Sequence, residues 1–260
     1  MKLYLYGIID SCGQLKEPVY GLEDSCVYNI PYCDTGAVVS EISHPVIHST
    51  EDAILKHEAV VEKLMTNFTI LPVKFQTVIN DRAGLLSMMQ SLYRNFKNNL
   101  ERLRDKREFG VKVLWPAEKI KTKISNDFKL SRKKIFDSEL SQARKFMAET
   151  FQKYKLDEEF RQIAENYIKI IDSSINRYAV EKKVRKLKTD KLLLDAVYLV
   201  EKSLVNNFKE TFERSKKEQP DFKYLFSGPW PAYNFIILSK QDRISNKSVN
   251  DQNMTGVNNL

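Results

Sequence analysis

The sequence predicts an α+β protein of two domains, residues 1–108 and 109–239, followed by a mobile tail over 240–260. Two observations carry this. Short aromatic and β-branched runs of strand length are interspersed with longer stretches in which apolar residues recur every three or four positions, and they lack the regular βαβ alternation of a doubly wound sheet. The 260 residues are 42% hydrophobic, which is enough to bury a core, and their number suits one large domain or two ordinary ones.

The elements follow in order. Leu3 to Ile9 is an apolar, aromatic run and predicts a buried strand. A loop with Gly13, Pro18 and Gly21 follows, then a short strand from Val27 to Ile30 ended by Pro31, and another over Thr35–Ile42. Ser49 or Thr50 can cap a helix that has Glu51 and Asp52 in its first turn, where the dipole favours acids. That helix runs to about Asn67, with Ile54, His57, Val61, Leu64 and Met65 near one face. Phe68 to Phe75 is extended, and Pro72 argues for a sheet edge or a bulge. Asp81 opens a second helix through about Lys106, carrying Leu85, Met88, Met89, Leu92, Phe96, Leu100 and Leu103.

Phe109–Trp115 reads as a strand stopped by Pro116, and the domain boundary is set there. Two long helices are expected next, roughly over 125–155 and 157–187, followed by a strand from Leu192 to Val200 and a helix from about Ser203 to Glu218. The last two strands, Phe222–Phe226 and Tyr233–Leu238, are joined by a Gly-Pro-Trp-Pro turn. That turn holds a large apolar side chain on stiff backbone, which suggests construction or binding rather than chemistry. Residues 240–260 are rich in Asn, Ser, Asp and Gln and have few large apolar groups.

The net charge of +8 is local: residues 101–190 hold 24 Lys+Arg against 15 Asp+Glu, whereas residues 1–100 hold 8 against 11. A basic middle third suits nucleic acid, an anionic membrane or an acidic protein, or simply a lysine-rich solvated helix face. The nucleic-acid alternative would work through residues 119–134 and 182–191. Against it, Tyr167 and Tyr178 fall at helical spacing with Ile163, Ile170 and Ile171, which favours core packing over stacking platforms. No stretch approaches the roughly 20 apolar residues of a membrane span, and the start is too short and too aromatic for a signal peptide, so a cytoplasmic protein is expected.

Catalytic and metal-binding constellations are not found. Cys12, Cys26 and Cys33 fit neither a C-x-x-C pair nor a disulfide framework. His44 and His48 lie four apart around Pro45, and His57-Glu58 begins like a zinc-protease helix but meets Val61 where the second histidine should stand. Phosphate loops, dinucleotide fingerprints and nucleophile elbows are missing too. The expectation is a protein with no enzyme activity, no cofactor and no metal.

Six segments in order point elsewhere. They are Tyr4-Leu5-Tyr6-Gly7-Ile8; Val38-Val39-Ser40-Glu41; His57-Glu58-Ala59-Val60-Val61-Glu62; Leu71-Pro72-Val73-Lys74-Phe75-Gln76-Thr77; Glu108-Phe109-Gly110-Val111-Lys112; and Ser227-Gly228-Pro229-Trp230-Pro231-Ala232-Tyr233-Asn234-Phe235. Together, over about residues 2 to 238, they resemble the gas vesicle protein F/L family. Departures are small: Pro231-Ala232 stands where the family often has Pro-Pro, and the basic 119–134 stretch and the tail look peculiar to this member. The resemblance implies an unusual α+β N-terminal domain and a modified ferredoxin-like C-terminal domain with long helices. It implies a minor component or assembly factor of gas vesicles, without catalysis, whose partners are the small, strongly apolar main shell protein and other gas vesicle accessory proteins. A partner could shield such a protein by adding a strand or offering an apolar groove. The candidate contacts are Leu71, Val73 and Phe75 at the Pro72 edge, and Trp230, Tyr233 and Phe235 at the turn, the alternative being that both segments fill cores.

Overall fold

The computed structural model describes residues 2–44, 47–132 and 142–237, and the proposed tail at 240–260 lies outside them. Strands and helices are mixed along the chain, as an α+β protein requires. They form two compact units, Met1–Glu108 with Pro229–Leu260, and Phe109–Gly228.

The first unit is built on a six-stranded sheet. Its strands are β1 (Lys2–Ile9), β2 (Val19–Tyr20), β3 (Cys26–Tyr32), β4 (Thr35–Ile42), β5 (Ile70–Pro72) and β6 (Val78–Ile79), in the order β2-β3-β4-β1-β5 with β6 also pairing β1. β1 is central and buried on both faces, as its unbroken apolar run requires. Its register against β4 shifts between Leu5 and Gly7. The shift changes which residues face inward: Tyr4 and Tyr6 point into one core, and so does Ile9, which strict alternation would send to the other face. A Cβ on Gly7 would stand 2.8 Å from the Leu71 carbonyl, so only glycine lets β5 lie this close.

β3 runs through Pro31 to Tyr32 instead of stopping at Ile30, and Pro31 pairs with Gly36. β2 covers only Cys26 and Val27, so the outer side of β3 has no ladder there for the missing N–H to break. Helix α1 (Glu51–Asn67) is capped by Thr50, whose hydroxyl accepts from the Ala53 N–H at 3.2 Å. It buries His57, Val60, Val61, Leu64 and Met65, while Ile54 is exposed. Helix α2 (Arg82–Leu103) is capped by Asp81, which accepts from the Gly84 N–H at 2.7 Å.

The second unit carries the strands β7 (Lys106–Leu114, from Phe109 on), β8 (Ala179–Val184), β9 (Leu192–Glu201) and β10 (Lys223–Trp230, up to Gly228), with Lys106–Glu108, Pro229 and Trp230 belonging to the first unit, and the helices α3 (Ala117–Arg132), α4 (Gln142–Asn176) and α5 (Val205–Glu218). The sheet order β10-β7-β9-β8 is, in its own count, fourth-first-third-second. With a β-α-β-β-α-β succession this is ferredoxin-like topology, modified by the doubling of the first helix into α3 and α4. Phe109, Val111, Val113 and Trp115 alternate inward from β7 and meet Ala196, Tyr198 and Val200 of β9 and Phe208 and Phe212 of α5.

Three expectations need correction here. The helix pair expected over 125–155 and 157–187 is instead α3 and one continuous α4, with no break near residue 156. The helix also stops at Asn176, and Ala179–Val184 is a strand. Neither glycine nor proline marks that stop, and β8 is polar because it is an edge strand, where lysines are the usual residues. Thirdly, Gly-Pro-Trp is no turn. β10 continues through it to Trp230, with Gly228 at φ 110°, and Tyr233–Phe235 is a turn rather than a strand. β10 is the other edge, so Pro229 interrupts no outer ladder.

Candidate partner-binding surface

In the first unit two of the six candidate residues, Phe75 and Tyr233, meet α1 at His57 and Glu58. β5 ends the sheet, and among the described residues no strand pairs with its outer side. Leu71 of β5 is buried and pairs with Ile8. The Val73 N–H donates to the Tyr6 carbonyl at 3.2 Å, and the ladder resumes when the Leu5 N–H donates to the Thr77 carbonyl at 2.9 Å. Between these two bonds Lys74, Phe75 and Gln76 are looped out, with Gln76 at φ 71°. The loop is pinned: the Gln76 N–H donates to the Tyr4 hydroxyl at 3.1 Å, and its side-chain amide donates to the Ile47 carbonyl at 2.6 Å and to Ser49 Oγ at 3.0 Å.

Phe75 is thereby held half-buried, its ring 5.8 Å from His57 and 6.4 Å from Tyr4, edge-on to both. The Tyr4 hydroxyl accepts from Gln76, so its own proton is free for His57 Nδ1 at 2.9 Å. With the hydroxyl as donor, the proton of the neutral imidazole stands on Nε2. Nε2 finds no well-aligned partner, and the Val73 carbonyl gives only a weak pull towards the charged form. Burial therefore pushes the His57 pKa down to about 4, and the ring is neutral at pH 7. Tyr6 stacks on it at 5.6 Å, with its hydroxyl accepting from the Leu22 N–H at 2.9 Å and meeting Ser40 Oγ at 3.1 Å. Burial raises the pKa of both tyrosines.

Tyr233 approaches the same helix. It packs on the first core, and its hydroxyl donates to Glu58 Oε1 at 3.4 Å. Burial raises the Glu58 pKa, Glu62 adds to this, and the Tyr233 bond opposes it. Phe235 is wholly buried, while Trp230 is half-buried at the end of β10. Phe75 and Tyr233 thus flank the His57-Glu58 pair, Leu71 and Phe235 are buried, and Trp230 lies outside that cluster.

Sequence reasoning missed the residues that fasten the Tyr233 segment. The Asn234 backbone N–H donates to Glu108 Oε2 at 2.8 Å, and its amide donates to the other carboxylate oxygen. Arg102 donates to the Phe235 carbonyl. Asn99 Nδ2 donates to the Ile237 carbonyl at 2.8 Å, and Asn99 Oδ1 accepts from the Ile237 N–H at 2.9 Å, reproducing a strand pair with a side chain. Glu108 stands in one of the six matched segments, which was the available signal. Asn99 lies among the apolar positions of α2 and had none.

The basic stretches proposed for nucleic acid are partly neutralised within the chain. Lys121 pairs with Asp190 at 2.5 Å, Lys182 with Asp172 at 2.6 Å and Arg185 with Asp195 at 3.9 Å, while Lys133 and Lys134 lie outside the described residues. Tyr167 packs in the second core against Trp115 and Phe222.

Comparison with known proteins decides the affiliation. The model of the gas vesicle synthesis protein GvpL/GvpF family matches residues 2–236. The chain belongs to this family. It is 24% identical to gas vesicle protein F1 of Halobacterium salinarum, over 91% of this chain and 93% of that protein. It is 25% identical to gas vesicle protein F of Dolichospermum flosaquae, over 81% and 87%. The fold is that of crystal structures of GvpF from Anabaena sp. PCC7120, with a TM-score of 0.80 and 20% identity over 92% of this chain and 99% of that one, and from Microcystis aeruginosa, with a TM-score of 0.76 and 18% identity over 91% and 99%. A GvpL/GvpF member is a gas vesicle component or assembly protein, and the family is not a known enzyme family. Among the described residues no helix is long and apolar enough to cross a membrane.

Proposed function

We propose that this chain is a non-enzymatic gas vesicle component or assembly factor that binds the main gas vesicle shell protein while vesicles form. It acts in the cytoplasm and on the vesicle, alongside other gas vesicle accessory proteins, and the two compact units serve as its two domains. The observation that carries this reading is the pinned loop beside β5, which holds Phe75 half-exposed next to a strand edge that no other strand pairs among the described residues. A strand edge and an apolar ring side by side suit a partner with apolar strands. The edge offers main-chain hydrogen bonds and the ring a contact of defined position. Val73 and Tyr233 extend the contact, while Leu71 and Phe235 are buried and Trp230 lies outside the cluster.

The test is capture of the shell protein by wild type, Phe75→Ala, Tyr233→Ala and Trp230→Ala, with circular dichroism confirming that each variant folds. Capture should fall most for Phe75→Ala, because rigid aromatic anchors dominate binding energy. Undiminished capture by folded Phe75→Ala and Tyr233→Ala proteins would overturn the reading.

A further inference from the structure

Helix α4 has one outward face whose two halves differ in kind. Positions 147, 151, 154, 158, 161 and 165 follow one another at four- and three-residue steps and therefore share that face. The second half is Glu158, Arg161 and Glu165. Arg161 bonds both carboxylates, at 2.7 Å for Glu158, and Gln162 adds a bond to Glu158 at 2.9 Å. This is an ordinary solvated face. The first half is Met147, Phe151 and Tyr154, and these are 70%, 59% and 67% exposed. Phe146, 70% exposed as well, lies about 100° round the helix and off the seam. The core-facing positions of α4, among them Phe160, Ile163, Tyr167, Ile171 and Ile175, lie on another side, so the fold of this unit does not require the apolar seam. Three large apolar side chains in line are more than the scattered exposure normal for a monomer.

The charge around the seam selects its partner. By helical position Arg144 and Lys155 border the seam, whereas Glu149, the acid of residues 142–156, falls nearly opposite it. Lys155 lies 5.1 Å from the centre of the Phe151 ring and covers it from one side. A second copy of the chain would bring the same positive charge and be repelled. The seam is one residue wide and about two turns long, roughly 10 Å at 1.5 Å per residue, which matches the stripe of another helix better than a broad bilayer surface.

We propose that the Met147–Phe151–Tyr154 seam docks an amphipathic helix of another protein whose apolar stripe is flanked by acidic residues. Its apolar side chains pack between Met147, Phe151 and Tyr154, and its carboxylates meet Arg144 and Lys155. This surface lies in the second unit and is separate from the Phe75 surface, and its test uses no gas vesicle protein, so either proposal stands or falls alone.

The experiment titrates the full chain into a fluorescein-labelled synthetic helix with leucines at the a and d positions of three heptads and glutamates at e and g, read by anisotropy. The controls are the same peptide with lysines for glutamates and a labelled DNA duplex. Saturable binding of the acidic peptide alone is expected, weakening at higher salt. A Met147→Ser/Phe151→Ser protein should bind at least about tenfold more weakly. Arg161→Ser, on the same face two turns on, should bind as wild type does. Equal binding of the lysine peptide, unchanged affinity in the double-serine protein, or tighter binding of the duplex would each overturn the proposal.

Discussion

Around His57 the first unit buries Tyr4, Tyr6 and the imidazole in a chain of hydrogen bonds that takes in Gln76, Leu22 and Ser40. The second unit packs rings on rings: Phe109 lies 5.2 Å from Phe208, and Phe226 lies 5.4 Å from Phe109 and 4.6 Å from Phe212. Tyr198 is the fully buried tyrosine there, with its hydroxyl on Asp172 at 2.8 Å. The first core is specified by direction, since each hydroxyl must find one partner, and the second by volume, since rings must fill space. The first should therefore respond to pH and to the loss of single atoms, the second to the loss of bulk. The chain has two tryptophans, Trp230 in the first unit and Trp115 in the second, so Trp→Phe backgrounds let fluorescence follow each unit by itself.

The largest expected effect is on volume. Phe208 is wholly buried and touches Phe109, Tyr198 and Phe226. Phe208→Ala should destabilise the second unit by about 3–5 kcal/mol, and Phe208→Leu by clearly less, in urea titrations followed by Trp115. Equal losses for the two would mean that this core does not depend on filled volume.

Next comes pH. The His57 pKa is about 4 in the folded chain against an unfolded value near 6.5. Both states are neutral above that value. Between about pH 6.5 and 4 the unfolded chain takes up a proton that the folded chain refuses, so stability falls as pH falls, by about 3 kcal/mol at the limit. Glu58 works the other way. Its raised pKa gives stability that is present at low pH and lost as pH rises through its folded value. Urea midpoints of the first unit, followed by Trp230 from pH 7 to pH 4, should decline in wild type. The decline should steepen in Glu58→Gln and flatten in His57→Gln. The same slope in wild type and His57→Gln would take the imidazole out of the account.

A single atom follows. Tyr4→Phe removes the hydroxyl that joins Gln76 to His57, which leaves a backbone N–H and the imidazole Nδ1 without it. Stranding the buried imidazole nitrogen costs about 1–3 kcal/mol, and the Lys74–Gln76 loop should loosen with the loss of its tether. Faster amide exchange at Gln76 in the variant would report that loosening.

These two cores also explain how far the chain could be read in advance. β1, β4, α1, α2 and β9 were legible because unbroken apolar runs and three-and-four spacing are local signals, and Thr50 and Asp81 cap where side-chain chemistry says they should. The end of α4 was not, since Arg177 and Tyr178 suit a helix as well as a turn and the edge strand β8 is lysine-rich. The straight passage of β10 through Gly228 and Pro229 depends on its being an edge, which is a property of the sheet and not of the segment. At the candidate surface the rings Phe75 and Tyr233 were visible as rings. Their fastening was not: Asn234 reaches Glu108 across 126 positions and Asn99 reaches Ile237 across 138, and no local pattern encodes such pairings.

The smallest expected effect is the sharpest probe of the contrast. Tyr198→Phe, like Tyr4→Phe, deletes one buried hydroxyl, but its consequence is different. Asp172 keeps Lys182 at 2.6 Å, so removal of the hydroxyl leaves the carboxylate partnered, and the ring still fills its place against Phe208 at 5.6 Å. The cost should be about 1 kcal/mol or less, the net worth of one hydrogen bond. If the first core is specified by direction and the second by volume, Tyr4→Phe must cost its unit more than Tyr198→Phe costs the other, although both side chains are wholly buried. Urea midpoints measured in the two Trp→Phe backgrounds give both numbers. The reverse order would mean that Asp172 and Tyr198 form the more demanding polar pair, and that the second core also relies on direction.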